Sequence, residues 1–524
     1  MSHARYLRLP KIAPWQTAVL VAGAAFLWRL AAGPHPVDDA YITFRYAANM
    51  ARGAGFVYNP GEPILGTSTP AMGLLLAASA AAFGTTHVPI MSLVWNALFD
   101  ASCVILLAAI ARRLGFPPLL QWLAAGLYGF APLVVRYSIG GMEAPLATAV
   151  SLLAIYLFFA ERPVAAALLA GLGVLVRPDI LAVGAALAGA QLVVRDRRVG
   201  RTVLILVGCL AAAGGLLFAF YGSPLPQSVL AKASPIYQST PFASAVEIAY
   251  ALGSFPLLYG TGIGAKGLLV STSPMLTLTA VILFAVGMAF WALGIRDLIR
   301  RNSQAMILAL YPSIFMGTYV LAGLRGSLVA EWYTPPLLAV WMLAWLHGLW
   351  LTLHGLQLGS ARWAGLGLAV VLMVTEMAGF DLGRGRQANA WMPLSVWEER
   401  ELLYLRAAED LRPRIGAADV VAASEIGAFG YACGCRILDT VGLVSRVSLG
   451  YYPLPAGRYS TNYAIPSELI RDQRPRFLVT LEVFARDTLL RDARFLGDYE
   501  LVWEAPTDAF GSRGLQVYQR IPLR

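Results

Sequence analysis

The sequence predicts a polytopic α-helical membrane protein, N-terminus inside and C-terminus outside, that ends in a soluble α/β domain. Three observations predict this. Apolar residues make up 58% of the chain and charged residues only 13%, with a mean hydropathy of +0.63, whereas a soluble domain carries about 25% charged residues. The apolar residues gather in long stretches, and a helix needs about 20 of them to cross a bilayer. After residue 384 charges become frequent and short apolar runs replace the long ones.

About eleven spans follow in order: 15–32, 92–111, 119–135, 143–160, 164–176, 180–194, 202–220, 274–293, 304–323, 334–351 and 363–380. The first is preceded by Arg5, Arg8 and Lys11 and reads as an uncleaved anchor, too long for the apolar part of a signal peptide. Direction comes from the basic residues. Arg112-Arg113, Arg162, Arg195 with Arg197, Arg198 and Arg201, Arg296 with Arg300 and Arg301, and Arg362 all fall on the side of the N-terminus. By the positive-inside rule that side is cytoplasmic. This interspersed placing also argues against nucleic acid as the partner of a chain with net charge +10, because no basic reading motif accompanies it. Residues 69–84 are apolar but begin Thr69-Pro70. They are read as a re-entrant or interfacial helix inside a first outer loop, 33–91, since a further crossing there would put Arg112-Arg113 outside.

Two domains result: a membrane part, 1–384, and an extracytoplasmic α/β part, 385–524. In the second, helical periodicity covers 396–411, and Asp419–Ala423 and Arg476–Thr480 read as strands. The outer segment 221–273 opens with Tyr221-Gly222-Ser223-Pro224-Leu225-Pro226-Gln227-Ser228, whose prolines predict a turn. Cys103 and Cys209 read as packing residues. Cys433 and Cys435, one residue apart, would point to opposite faces of a strand, so a bond between them is expected to be strained. No cysteine or histidine spacing suggests zinc, and no internal repeat suggests the inverted halves of many transporters.

Acidic residues number only 30 of 524, yet two adjacent ones, Asp38-Asp39, stand just after the first span. With this topology Asp38-Asp39, Glu143, Arg177-Pro178-Asp179, Lys232, Arg325 and Glu331 all lie at outer ends of spans. Asp38 or Asp39 suits a helix N-cap, and Glu143 a helix N-terminus. Arg177 and Asp179 suit a structural ion pair, and Lys232 and Arg325 suit snorkelling to headgroups. The alternative is a site. One carboxylate of the Asp38-Asp39 pair acts as base on a hydroxyl within hydrogen-bond reach, with Glu143 a further acid on that face. Arg45, Arg177, Lys232 and Arg325 would clamp a phosphate, for which arginine is geometrically suited. His35, Tyr41, Glu331 and Tyr333, which neighbour these charges, are the candidate substrate contacts. Asp38, Asp39 and Glu143 could offer oxygen ligands to a divalent cation such as Mg2+ or Mn2+; otherwise no cofactor is implied.

The segment Asp38-Asp39-Ala40-Tyr41-Ile42-Thr43-Phe44-Arg45-Tyr46, with Gly53-Ala54-Gly55-Phe56-Val57-Tyr58-Asn59-Pro60-Gly61-Glu62 and Gly66-Thr67-Ser68-Thr69-Pro70, resembles the GT-C glycosyltransferases. The resemblance is closest to the branch containing the mycobacterial terminal β-(1→2) arabinofuranosyltransferase. It extends through Gly141-Met142-Glu143, Arg177-Pro178-Asp179, Gly222–Gln227 with Lys232, Glu425–Tyr431 and Asp439–Leu443. It implies a GT-C-like fold and an inverting enzyme of a bacterial plasma membrane, active on the extracytoplasmic side. Such an enzyme moves a sugar, arabinofuranose among the candidates, from a polyprenyl-phosphate donor to a cell-envelope polysaccharide or glycolipid, with Asp38 as base. The outer domain would bind or gate the acceptor. The rival classes are a transporter or flippase for a lipid-linked sugar, and a non-catalytic glycan-binding scaffold.

Overall fold

The structure, a computed structural model, describes residues 14–237, 274–324, 331–355 and 396–522. The first helix, α1 (Pro14–Ala32), is followed by a loop region holding α2 (Asp38–Ala51) and α3 (Pro70–Phe83). A run of apolar helices comes next: α4 (Val88–Arg113), α5 (Pro118–Phe130), α6 (Pro132–Ile139), α7 (Ala144–Phe159), α8 (Pro163–Leu172), α9 (Leu181–Val193) and α10 (Val199–Tyr221). The short α11 (Gln227–Lys232), then α12 (Pro274–Arg301), α13 (Ile307–Leu324) and α14 (Thr334–Gly355) complete the described membrane part.

Each expected span up to 334–351 coincides with a helix or a bent pair, while 363–380 lies outside the described residues. Proline sets the breaks. Pro132 opens α6 and bends it 49° from α5, because a proline cannot bond back to the preceding turn. Five described helices, six counting that bent pair, are long and apolar enough to cross a membrane. Helices α7, α8 and α9 are shorter, and the last two are divided by Arg177-Pro178-Asp179. At 14 residues, α3 reaches only about 21 Å, short of the ~30 Å hydrocarbon core.

Small residues let α12 and α14 touch along their backbones. A Cβ on Gly294 would lie 1.8 Å from the Ala344 carbonyl oxygen, and one on Gly348 would lie 1.8 Å from that of Phe290. Trp291 and Trp341 stack beside this crossing at 4.5 Å. Such close approach is a usual way for membrane helices to gain contact where water supplies no driving force.

The C-terminal part begins with α15 (Val396–Leu411). It is built on β1 (Val420–Ala423), β2 (Arg436–Asp439), β3 (Phe477–Leu481), β4 (Tyr499–Pro506) and β5 (Gly514–Arg520) in the order β2-β1-β3-β5-β4. The first three are parallel, with Val421 opposite Ile437 and Phe477; β5 joins β3 antiparallel, and β4 closes the edge. Strands β1 and β3 are apolar and buried, as parallel strands covered on both faces are. Between β1 and β2 runs α16 (Gly427–Cys433).

The core of this domain does not stop at the domain. Ala40, Phe44, Tyr46, Tyr58 and Met72 of the first loop pack in one buried cluster with Val421, Phe429, Ile437 and Phe477. Cys433 and Cys435 are bonded to each other, and the strand geometry considered for them does not apply. They do not share a strand: Cys433 ends α16, Gly434 turns the chain in the left-handed region (φ 65°), and Cys435 precedes β2.

Candidate functional site

Asp38 opens α2 but does not cap it, since Val37 is the N-cap residue and no side chain caps that end. Its Oδ1 instead accepts the backbone N–H groups of Gly427 (2.7 Å) and Ala428 (3.3 Å), at the start of α16. The capping role foreseen for this aspartate is thus played on a helix 389 residues away. Glycine permits the approach, because a Cβ at Gly427 would sit 1.9 Å from the Asp38 carbonyl oxygen.

Around Asp38 lie charges that the C-terminal sheet domain supplies. Glu425 stands two residues before Gly427, the residue whose N–H holds Asp38. Arg400 Nη1 donates to Glu425 Oε1 at 3.2 Å, and its Nε donates to Glu401 Oε1 at 2.9 Å. Burial, then the Glu425 charge, pushes the Asp38 carboxyl well above the usual carboxylate range, with Arg400 opposing. Burial likewise pushes Glu425 up to about 7 and Glu401 up to about 8. One guanidinium among three carboxyls leaves charge that a buried site cannot hold without protons.

Asp39 turns the other way. Its Oδ2 is 3.6 Å from Lys232 Nζ at the end of α11, and both side chains are about 30% exposed. Burial pulls the Lys232 ammonium down, but Tyr333, Asp39 and Glu143 more than offset this and keep it charged. The same ammonium lies 5.9 Å from the ring of Trp332. The Trp332 carbonyl oxygen accepts a hydrogen bond from Arg177 Nη1 at 3.3 Å. Arg177 is buried where the backbone breaks between α8 and α9. It is 2.7 Å from Asp179 and 3.8 Å from Glu143, and lies over the Tyr333 ring at 5.0 Å. Tyr319 reaches Asp179 at 3.5 Å. Asp39, Lys232, Trp332, Tyr333, Arg177, Glu143 and Asp179 therefore form one continuous network, next to the Asp38 cluster.

Other candidates fall elsewhere. Arg45 does not face this network. It is 3% exposed and donates to the carbonyls of Tyr58 (2.8 Å), Gly430 (2.6 Å) and Cys435 (2.6 Å) and to Asn59 Oδ1 (3.3 Å). Its donors are committed to the joint between loop and domain, which leaves it no geometry for a phosphate. Tyr41 is buried against Phe44 and Tyr431, both at 5.5 Å, so its ring belongs to that joint too. His35 Nδ1 lies 3.6 Å from Glu398 of α15, and the Glu398 hydrogen bond holds its imidazole above the ordinary value. Arg325 lies outside the described residues. Glu331 opens a short 3-10 turn, Glu331–Tyr333. Among the described residues no three of His, Cys, Asp and Glu gather as a metal site. The Asp38, Asp39 and Glu143 trio fails as a ligand set because each turns to its own partner: Gly427, Lys232 and Arg177.

Sequence reasoning missed Glu425, Arg400, Glu401 and Trp332 as site residues. Glu425 heads the Glu425–Tyr431 segment, which was noted without a role. Arg400 and Glu401 sit in a helix whose polar pattern reads as a solvated face.

Comparison with known proteins gives the fold. Residues 396–518 match a domain of unknown function, DUF8728. No curated protein sequence matches the chain. Among solved structures, ArnT from Cupriavidus metallidurans in the apo state aligns over 96% of this chain and 97% of its own, with a TM-score of 0.50 at 12% identity. The chain shares that fold. ArnT bound to undecaprenyl phosphate aligns over the same shares at 0.46 and 14%. Arabinofuranosyltransferase AftD from Mycobacteria aligns at 0.42 and 13%, where this chain spans 40% of the longer protein.

Proposed function

We propose that the chain is an inverting glycosyltransferase of the GT-C type in a bacterial plasma membrane. It moves a sugar, arabinofuranose among the candidates, from a polyprenyl-phosphate donor to a cell-envelope polysaccharide or glycolipid at the extracytoplasmic face. The observation that carries this reading is the pairing of a buried carboxyl, Asp38, lifted above the usual carboxylate range by burial and the Glu425 charge, with an adjoining cationic network built on Lys232 and Arg177. Lifting a carboxyl above its ordinary range strengthens it as a base, and a leaving phosphate needs preorganised positive charge.

In this reading Asp38 takes the proton of an acceptor hydroxyl. The freed oxygen pair bonds to the anomeric carbon, and the carbon–oxygen bond to phosphate breaks on the opposite face. The electron pair of that bond leaves on the phosphate, where Lys232 and Arg177, with Arg325 as a further candidate, stabilise it. Asp39 holds Lys232 in place between turnovers. Trp332 and Tyr333 offer aromatic faces to the sugar, joined to Glu143 through Arg177, with His35 and Glu331 as further candidate contacts.

The test is transfer of labelled sugar from a panel of polyprenyl-phosphate donors by purified protein, with Asp38→Asn and an EDTA arm alongside. Product from one donor, lost in Asp38→Asn while donor binding persists, is expected. Normal turnover by Asp38→Asn would remove the base assignment. Donor binding without product from any donor would favour transport of the lipid-linked sugar instead.

A further inference from the structure

We propose that Asn96, buried in α4, is a positioning residue of the transfer site: its amide fixes the turn 138–143, and that turn sets the separation between the Asp38 carboxyl and Arg177. This rests on the reading of Asp38 as base and of Arg177, with Lys232, as the holder of the leaving phosphate.

Ser92, Asn96 and Asp100 recur every four residues on α4, so they share one face of it, and all three are fully buried. Polar side chains inside a membrane helix are costly and mark function or close helix contacts. Each of the three bonds across to another element. Asp100 Oδ2 accepts from Arg29 Nε of α1 at 2.7 Å, and Arg29 Nη1 donates to the Gly129 carbonyl of α5 at 2.8 Å. Asn96 Nδ2 donates to the carbonyls of Ser138 and Met142, both at 2.9 Å. Ser92 Oγ donates to the Gly141 carbonyl at 3.2 Å. Both acceptors of Asn96 are carbonyl oxygens, which the nitrogen end of the amide alone can satisfy, one hydrogen to each. One nitrogen thereby ties the last turn of α6 to the residue before Glu143 and fixes the width of the loop between them.

The far side of that loop carries the site. Its Ile139 and Gly140 carbonyls accept the N–H groups of His35 (2.9 Å) and Val37 (3.2 Å), the residues that lead into Asp38-Asp39. Gly141 adopts φ 75°, and a Cβ there would lie 2.8 Å from Phe44 Cζ and 3.1 Å from Ala40 Cβ, so α2 rests directly on the turn. The turn then ends in Glu143, 3.8 Å from the Arg177 guanidinium. One short loop thus holds both the start of the helix that bears Asp38 and the acid beside Arg177. Asn96 bonds to neither group, yet it holds the piece that joins them. Donor binding at Lys232 and Arg177 needs only the cations. Attack needs the separation as well, because hydroxyl, anomeric carbon and leaving phosphate must line up between base and cations, and a misplacement of about 1 Å can cost about 100-fold.

The full-length protein, Asn96→Leu and Leu107→Ala would be assayed with the productive donor, alongside binding of polyprenyl phosphate and thermal unfolding. Asn96→Leu keeps the size of the side chain and removes both N–H groups. It is expected to lose about 10- to 100-fold in kcat, with donor KM and polyprenyl phosphate binding within about threefold of wild type. Leu107→Ala opens a cavity about three turns further along the same helix. It is expected to lower the unfolding midpoint as far or further and to keep kcat within about twofold of wild type. A kcat of Asn96→Leu within about threefold of wild type overturns the inference. So does a loss carried wholly by donor KM, or an equal loss of kcat in Leu107→Ala. Should Asn96→Leu fail to fold, Ser92→Ala, which removes the single bond to Gly141, takes its place: a loss of about three- to tenfold in kcat at constant donor KM supports the bracket, and an unchanged kcat overturns it. Normal turnover by Asp38→Asn, or no transfer from any donor, would overturn the base reading and the role of Asn96 with it. Transfer that needs Asp38 but not Asn96 overturns the role of Asn96 alone.

Discussion

At the residue scale, Asp38 and Asp39 are adjacent in sequence and opposite in circumstance. Asp38 is drawn into the outer domain by two backbone N–H groups, and Asp39 points to Lys232. The lysine is the cation in this pair most open to a phosphate. Lys232→Met, which keeps the length and apolar stem, is expected to reduce kcat/KM for the lipid donor by about 100-fold, the usual scale for one preorganised charge at a leaving group. Steady-state kinetics against the donor would check it, and a loss below threefold would remove Lys232 from the phosphate role. That these acids matter was legible in the sequence, because two carboxylates beside an apolar span are costly and rare. Their partners were not. Arg45 has the right residue type and an apt position on α2, yet its guanidinium holds carbonyls at Tyr58, Gly430 and Cys435. Only three-dimensional closure with a segment some 385 residues on decides that.

At the scale of elements, the seam between α2 and α16 is set by two glycines. A Cβ at Gly430 would lie 1.9 Å from Tyr58 Oη, as close as the one at Gly427 would lie to Asp38. Gly427→Ala is therefore expected to push α16 off the first loop. Overpacking of this kind costs about 1–3 kcal/mol, measurable as a lowered midpoint of thermal unfolding, and transfer should fall further than stability because Asp38 loses the N–H groups that hold it. The elements themselves were largely readable. Apolar runs located the described membrane helices and the Arg177-Pro178-Asp179 connection between two of them, whereas the break at Pro132 falls inside the expected span 119–135 and is not legible there. The state of Cys433 and Cys435 was open in the sequence, because strand geometry does not apply where α16 ends in a left-handed glycine turn. A seven-residue helix of small residues has too little periodicity to announce itself.

At the scale of the whole molecule, the sequence division near residue 384 follows composition, but the packing crosses it. The first loop and the sheet domain share one buried cluster, and no local pattern in either segment encodes that union. The orientation derived from basic residues can be checked directly. Cysteines introduced at Arg197 and at Arg458 of a chain in right-side-out vesicles are expected to differ, the second reacting with an impermeant thiol reagent and the first staying silent. Reaction at both, or only at Arg197, would reverse the proposed topology.

The bond from Asp38 to Gly427 also sets an order of events during synthesis. The loop that carries Asp38 leaves the ribosome early, while its partner is made 389 residues later, an interval of about 20–80 s at ordinary elongation rates of ~5–20 residues per second. Through that time Phe44, Tyr46 and Tyr58 have no domain to pack against, and the carboxylates stand without Arg400. The catalytic centre proposed here is assembled only when the last part of the chain has been made and has closed over the first. A polypeptide interrupted before residue 396 would carry the aspartate pair and the described apolar helices, yet lack both the helix that pins Asp38 and the Arg400 that faces it.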